Sequence, residues 1–169
     1  MQYISYYDSP LGKMLLAGDE VGLTGLWFEG QKYFGSTLNS EAKEKEITLF
    51  NETKKWLDLY FAGQNPDFNI PLHLIGTPFQ REVWKLLCGI SYGQTTTYGN
   101  LAKEMAEQRG LDSMSAQAIG GAVGCNPISI IVPCHRVVGA NGKLTGYAGG
   151  IDKKVELLKL ERVGSLRGS

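Results

Sequence analysis

The sequence predicts an α+β protein in two parts: an N-terminal β-meander backed by one helix, and a C-terminal half built mainly of helices. Three observations predict it. Short β-rich runs separated by turn residues fill the first 28 positions. An apolar period of three, four and seven follows up to Gly63. After Gly76, three segments open on Thr or Ser and carry helical patterns. We place the domain boundary there, giving an N-terminal domain over 1–76 and a C-terminal domain over 77–169.

Taken in order, strands are expected at 3–7, 13–17 and 21–28, with turns at Asp8-Ser9-Pro10-Leu11-Gly12 and Gly18-Asp19-Glu20. A helix from Ser40 to Gly63 presents Ile47, Phe50, Leu57, Tyr60 and Phe61 to the sheet. Asn65-Pro66 and Ile70-Pro71 give the stretch before Gly76 turn chemistry. Thr77-Pro78 then starts a helix, with Thr as N-cap and Pro at the first turn. Its apolar stripe is Phe79, Val83, Leu86, Leu87 and Ile90, and Cys88 is placed on the same stripe. Thr97 caps a second helix over 98–108, with Leu101 and Met105 inward and Arg109-Gly110 as its stop. A third helix, 113–124, is nearly all small residues. Its glycines cost helix stability and let the backbone approach a neighbour closely. Two short helices joined by a short turn fit a helix-turn-helix with the small-residue helix as the reading element; they fit equally a helix packed tightly within its own domain. Further on, the β-branched run 128–132 predicts a buried strand ended by Pro133, and a last helix is expected over 152–162 with Val155, Leu158 and Arg162 in register.

With 43% hydrophobic and 20% charged residues, the composition is that of an ordinary globular chain, which excludes disorder, collagen-like repeats and low complexity. No stretch approaches the roughly 20 apolar residues of a membrane helix, and the N-terminus lacks the basic start and apolar core of a signal peptide. A cytoplasmic monomer without membrane contact is expected. The three cysteines, Cys88, Cys125 and Cys134, form no CxxC pair, so free thiols are expected, and with only His73 and His135 beside them no metal site is. The formal charge is zero, yet residues 1–76 carry 6 Lys+Arg against 10 Asp+Glu and residues 77–169 carry 11 against 7. The second half therefore suits an anionic partner such as nucleic acid better than the first.

The chemistry concentrates in Pro133-Cys134-His135-Arg136-Val137. A thiol beside an imidazole after a strand-ending Pro is a candidate nucleophile with a candidate base. In an extended segment the two side chains point to opposite faces, so a bridging water and a carboxylate behind the imidazole would be needed. Glu161 is the candidate carboxylate; a solvated surface acid is the plainer alternative. From the residues alone a thiol hydrolase and a helix-turn-helix regulator whose cysteine senses alkylation or redox state both stay open.

PCHRV, preceded by Asn126-Pro127 and followed by Gly146-Tyr147-Ala148-Gly149-Gly150, resembles the methylated-DNA–protein-cysteine methyltransferases, the O6-alkylguanine-DNA alkyltransferases. TPFQREVW, YGQTTTYGNLA and the closing LLKLE belong to the same resemblance, which runs closely from Thr77 to about Gly164. The N-terminal half matches only in length and β-then-α order. The resemblance implies a ribonuclease-H-like N-terminal domain and a C-terminal winged helix-turn-helix domain carrying the active cysteine. It implies irreversible transfer of an alkyl group from O6-alkylguanine, with O4-alkylthymine as a further substrate class, in double-stranded DNA to the protein's own thiol, without a cofactor. Cys134 matches the nucleophile, His135 the base acting through water, Glu161 the acid orienting it, and Tyr98 the residue that helps rotate the base and donates a proton. Asn126 matches the asparagine that braces the active segment, and Val137, Tyr147, Ala148 and Gly149 match the pocket lining. Ser115, Ala116 and Gln117, with Tyr98, match the DNA-binding positions. Gln117 departs from the family, which has an arginine finger at that place.

Overall fold

The computed structural model describes residues 1–161, so Arg162 lies outside the described residues. The chain divides into two compact units, Met1–Ile75 with Pro127–Ser129, and Gly76–Asn126 with the chain from Ile130 onward. Three consecutive residues from late in the chain thus belong to the first unit.

In the first unit, β1 (Tyr3–Ser9), β2 (Gly12–Gly18) and β3 (Leu23–Phe28) form the expected antiparallel meander. β2 and β3 are almost wholly buried, because both faces of the sheet are covered. Trp27 folds its ring over Gly25 two residues back on the same face, where any Cβ would lie 2.0 Å from the indole. Only glycine fits there. The outer edge of β3 is covered by two short segments rather than left open: His73 N donates to Leu23 O at 2.8 Å, and Ser129 N donates to Leu26 O at 2.9 Å.

One expectation fails beside β1. The stretch after Ser40 has a helical pattern, whereas Lys43–Glu44 forms strand β4, parallel to β1, in the sheet order β3-β2-β1-β4. Glu, Ala and Lys favour helix, but Lys43 N donates to Gln2 O and Lys45 N to Ile4 O, and the unmet edge of β1 outweighs a weak propensity. Helix α1 starts only at Thr48 and runs Thr48–Phe61, burying Phe50, Thr53, Leu57 and Tyr60.

The second unit opens with α2 (Pro78–Cys88), whose Thr77 and Gln80 form a reciprocal capping box. Its buried face is Val83, Trp84 and Leu87; Phe79 is only half-buried and Cys88 is exposed, so Cys88 leaves the stripe assigned to it. Helix α3 (Tyr98–Arg109) is capped by Thr97 and ended by Gly110 in the left-handed region at φ 67°. Helix α4 (Ala116–Gly124) is capped by Ser115, whose Oγ accepts from Ala118 N. It is two-faced: Ile119, Ala122 and Val123 are buried, and Trp84 Nε1 donates to Ala122 O at 2.9 Å. Ser115, Ala116, Gln117, Ala118, Gly121 and Gly124 face outward. β5 (Thr96–Thr97) pairs in parallel with β6 (Val137–Val138), and α5 (Ile151–Leu160) closes the unit.

The strand predicted over 128–132 does not form. Ile128 makes a single bridge, and Ile130 sits at φ 70°, a left-handed turn that a β-branched residue rarely adopts and that ends any extended run. Cys134–Arg136 is one turn of 3-10 helix rather than extended chain. The buried face of α5 is Lys154, Leu157 and Leu158, not the register through Val155.

Candidate active site

The 3-10 turn after Pro133 carries three buried side chains in succession, Cys134, His135 and Arg136. The alternation assumed for an extended segment is replaced by the tighter rotation of a helical turn, which still sends neighbouring side chains in different directions. Asn126, at the end of α4, donates from Nδ2 to Val132 O at 2.8 Å and so holds the backbone just before the turn.

Behind the turn, the C-cap residue of α5, Glu161, is fully buried at its side chain and fully engaged. Oε2 meets His135 Nε2 at 2.6 Å and accepts from Arg136 Nη2 at 3.1 Å; Oε1 accepts from Arg136 Nε at 2.8 Å and from Gly93 N at 3.1 Å. Arg136 also donates from Nη1 to Ile90 O at 2.7 Å and lies over the ring of Tyr92. Burial alone would raise the Glu161 carboxyl, but the hydrogen bonds and charges of His135 and Arg136 outweigh it and hold it at about 2. The surface-acid alternative for Glu161 is excluded by this geometry.

Burial pushes His135 below its ordinary range; the hydrogen bond and charge of Glu161 oppose that, and the charges of Arg136 and Lys154 add to it. The imidazole is therefore neutral at neutral pH and able to accept a proton. Burial pushes the Cys134 thiol up, opposed by a hydrogen bond from the Asn126 side chain and by the charge of Lys154. Burial likewise raises Tyr98, whose hydroxyl is 3.0 Å from Thr145 Oγ1, so it stays a phenol and a potential proton donor.

A small cleft leads to the sulfur, walled by Tyr98, by Gly120, Val123 and Gly124 of α4, and by the loop Gly146, Tyr147 and Ala148. Cys134, Tyr98, Tyr147 and Ala148 are thus brought together. Val137 and Gly149 do not line this cleft: the Val137 side chain is buried within β6, where its carbonyl accepts from Lys154 Nζ at 2.6 Å. A Cβ at Gly120 would be in ordinary contact with the Tyr98 ring, while one at Gly121 or Gly124 would meet nothing within 4 Å. Tight packing within the unit accounts for neither Gly121 nor Gly124. Ser115, Ala116 and Gln117 stand exposed at the start of the same helix.

Sequence reasoning assigned no role to Arg136, Thr145 or Lys154. Lys154 was legible in principle, because it lies seven residues before Glu161 on one face of α5. Among the described residues no cluster of His, Cys, Asp and Glu could hold a metal ion, and no helix is long and apolar enough to cross a membrane.

Two family models account for nearly the whole chain: the 6-O-methylguanine DNA methyltransferase ribonuclease-like domain over residues 2–74 and the DNA-binding domain of the same family over residues 78–163. The chain belongs to the 6-O-methylguanine DNA methyltransferase family. The first of these matches corrects the sequence reading, in which the N-terminal half agreed only in length and element order. Among named members of this methyltransferase family, the methylated-DNA–protein-cysteine methyltransferase of Methanosarcina acetivorans is 46% identical over 94% of this chain and 97% of its own. That of Mycolicibacterium paratuberculosis is 48% identical over 92% and 89%. The crystal structure of Mycobacterium tuberculosis O6-methylguanine methyltransferase superposes with a TM-score of 0.81 at 44% identity, covering 96% of this chain and 93% of that one. Mycobacterium tuberculosis OGT in complex with DNA does so with a TM-score of 0.81 at 42% identity, covering 97% of each. The fold class is that of the family: a ribonuclease-like α/β domain followed by a DNA-binding domain.

Proposed function

We propose that this protein repairs DNA by direct reversal, transferring the alkyl group of an O6-alkylguanine in double-stranded DNA to the sulfur of Cys134. The observation that carries the reading is a buried thiol at the floor of a cleft between a phenol and an outward helix of small residues, with a neutral imidazole locked to a carboxylate behind it. Helix α4 enters the minor groove, about 6 Å wide, where only a face without large side chains fits. The damaged base is rotated out of the stack into the cleft. His135, held through Nε2 by Glu161, takes the thiol proton at Nδ1 by way of a water. The thiolate forms a bond to the alkyl carbon, the carbon–oxygen bond breaks, and its electrons pass to the purine, which takes a proton from Tyr98. The thioether is inert, so each molecule acts once, and the chain's own residues supply every proton moved. Asn126 braces the backbone before the turn, and Tyr147 and Ala148 wall the pocket. Persistence of a free reactive thiol suits a reducing compartment, in keeping with the cytoplasm.

Weighing the intact protein after incubation with duplex DNA containing O6-methylguanine tests this. A single methyl adduct on Cys134 is expected. Turnover of esters without an adduct would point to a thiol hydrolase, and neither outcome would leave a DNA-binding sensor of alkylation.

Gln117 fills the gap left by the rotated base. An arginine there would offer a fixed charge and five donors, whereas glutamine offers a neutral amide. Gln117→Arg should tighten duplex binding and speed repair in duplexes more than in single strands; Gln117→Ala should slow duplex repair selectively. Single-turnover rates on both substrates decide it, and an unchanged duplex-to-single-strand ratio in both variants rejects the role.

A further inference from the structure

Lys154 is fully buried, and among the described residues no carboxylate pairs with it. Among the described residues its hydrogen bond, at 2.6 Å, runs to the carbonyl of Val137, three residues after the nucleophile. A desolvated ammonium is penalised even after relaxation, and one neutral carbonyl does not offset it. The buried acid of α5, Glu161, is engaged by His135, Arg136 and Gly93. Asp152 and Glu156 on the same helix are exposed. Among the described residues, the groups in this part of the unit that can still become anions are the Cys134 thiol and the phenols of Tyr98 and Tyr147 beside it, and of these it is the thiol whose charge acts on Lys154.

We propose that Lys154 is the fixed counter-charge of the Cys134 thiolate, a positioning residue whose ammonium, pinned to the Val137 carbonyl, stabilises the anion formed when the thiol proton leaves. Burial brings Lys154 down to about 8, with the charge of Cys134 opposing, and the Lys154 charge opposes the rise of Cys134 in turn. The coupling is reciprocal: each group ionises more readily when the other is charged. Among the described residues, the other titratable or charged groups around the sulfur are His135, Arg136, Glu161, Tyr98 and Tyr147. His135 and Tyr98 are neutral, and Arg136 and Glu161 neutralise each other, so Lys154 is the net charge of the cluster. The proton balance is unchanged: the thiol proton goes to His135, and Lys154 keeps its own.

The proposal rests on the assignment of Cys134 as nucleophile, and its test separates the two. In a Cys88→Ala, Cys125→Ala background, the rate of Cys134 carboxamidomethylation by iodoacetamide is followed against pH for the parent and for Lys154→Gln, Lys154→Met and Lys154→Arg. Gln can still donate to the Val137 carbonyl without a charge, and Arg retains the charge. The midpoint should rise by about one unit or more in the Gln and Met variants, roughly a tenfold loss of thiolate per unit, and stay near the parent value in Arg. Methyl transfer from DNA should fall in parallel at neutral pH and recover as pH rises. Slow transfer with an unchanged iodoacetamide profile would overturn the proposal and make Lys154 a tie for β6 alone. A parent protein that shows the expected profile yet takes no methyl from DNA would instead overturn the proposed function. Should the neutral variants fail to fold, the titration of Lys154 followed by carbon NMR in the parent and in Cys134→Ser decides the matter. Loss of the thiolate should lower the Lys154 midpoint, and identical titrations would refute the coupling.

Discussion

Replacing Cys134 with Ser abolishes alkyl transfer and leaves affinity for undamaged duplex DNA within about twofold. A hydroxyl has nearly the volume of a thiol, so the 6% exposed position is filled without strain, but it is a far weaker nucleophile at the basicity a neutral imidazole supplies. The outward residues of α4 are untouched by the change. Intact-mass measurement after exposure to methylated duplex, alongside a binding titration, reads both parts. Cys88→Ala and Cys125→Ala serve as controls: one side chain is exposed, the other half-buried, and neither lines the cleft. Full transfer by Cys134→Ser, or loss of the acceptor only in a control, would move the active site elsewhere.

The second large effect belongs to Glu161→Gln, in stability as well as rate. The substitution turns one acceptor oxygen into a donor that faces the N–H groups of His135, Arg136 or Gly93, and it leaves the Arg136 cation without its anion. Breaking one side of a buried ion pair costs about 3–5 kcal/mol, on the order of 10 °C in melting temperature for a chain of this size. The pH dependence has a definite sign. Glu161 is held at about 2, below its ordinary 4.5, so its contribution is complete above the ordinary carboxylate range and disappears as pH falls toward 2. His135 is depressed too, so the unfolded chain takes up its proton first and stability begins to fall below the ordinary 6.5. Urea melts across this range should show the parent losing stability with acid and Glu161→Gln lacking the lower part of that slope. Parallel slopes would contradict the shift. In transfer assays Glu161→Gln and His135→Ala should each slow the reaction, and the double variant should cost little more than either alone, since groups acting as a unit are not additive.

The meander, the caps at Thr77, Thr97 and Ser115, and the stop at Gly110 were readable from local chemistry, because each depends on a residue and its near neighbours. What escaped depends on partners distant in sequence. Residues 43–44 look helical until the edge of β1 is known, and 128–132 look like a strand until Ile130 is seen turning. The site followed the same division. Cys134 and His135 announce themselves by adjacency, whereas Glu161 reads as a solvated surface acid more readily than as the partner of the imidazole until the resemblance singles it out. The inner face of α5 carries Lys154 and Glu161 around Leu157 and Leu158, so two charges interrupt the apolar stripe by which a buried face is recognised. Arg136 reads as an ordinary surface cation until its carboxylate and the Ile90 carbonyl are placed around it.

The three residues Pro127–Ser129, paired along β3, give the first unit a timetable. A chain emerging from the ribosome at about 5–20 residues per second folds its N-terminal part first where it can. Here the outer edge of β3 stays uncovered near Leu26 until more than fifty further residues have been synthesised, so the earliest-made sheet is among the last pieces finished. That long loop closure slows folding and leaves a bare strand edge in the interim, the surface on which nascent chains stick to one another. A fragment ending at Ile75 would carry that defect permanently, so separating the ribonuclease-like part for expression requires supplying the missing tripeptide, by circular permutation or as an added strand.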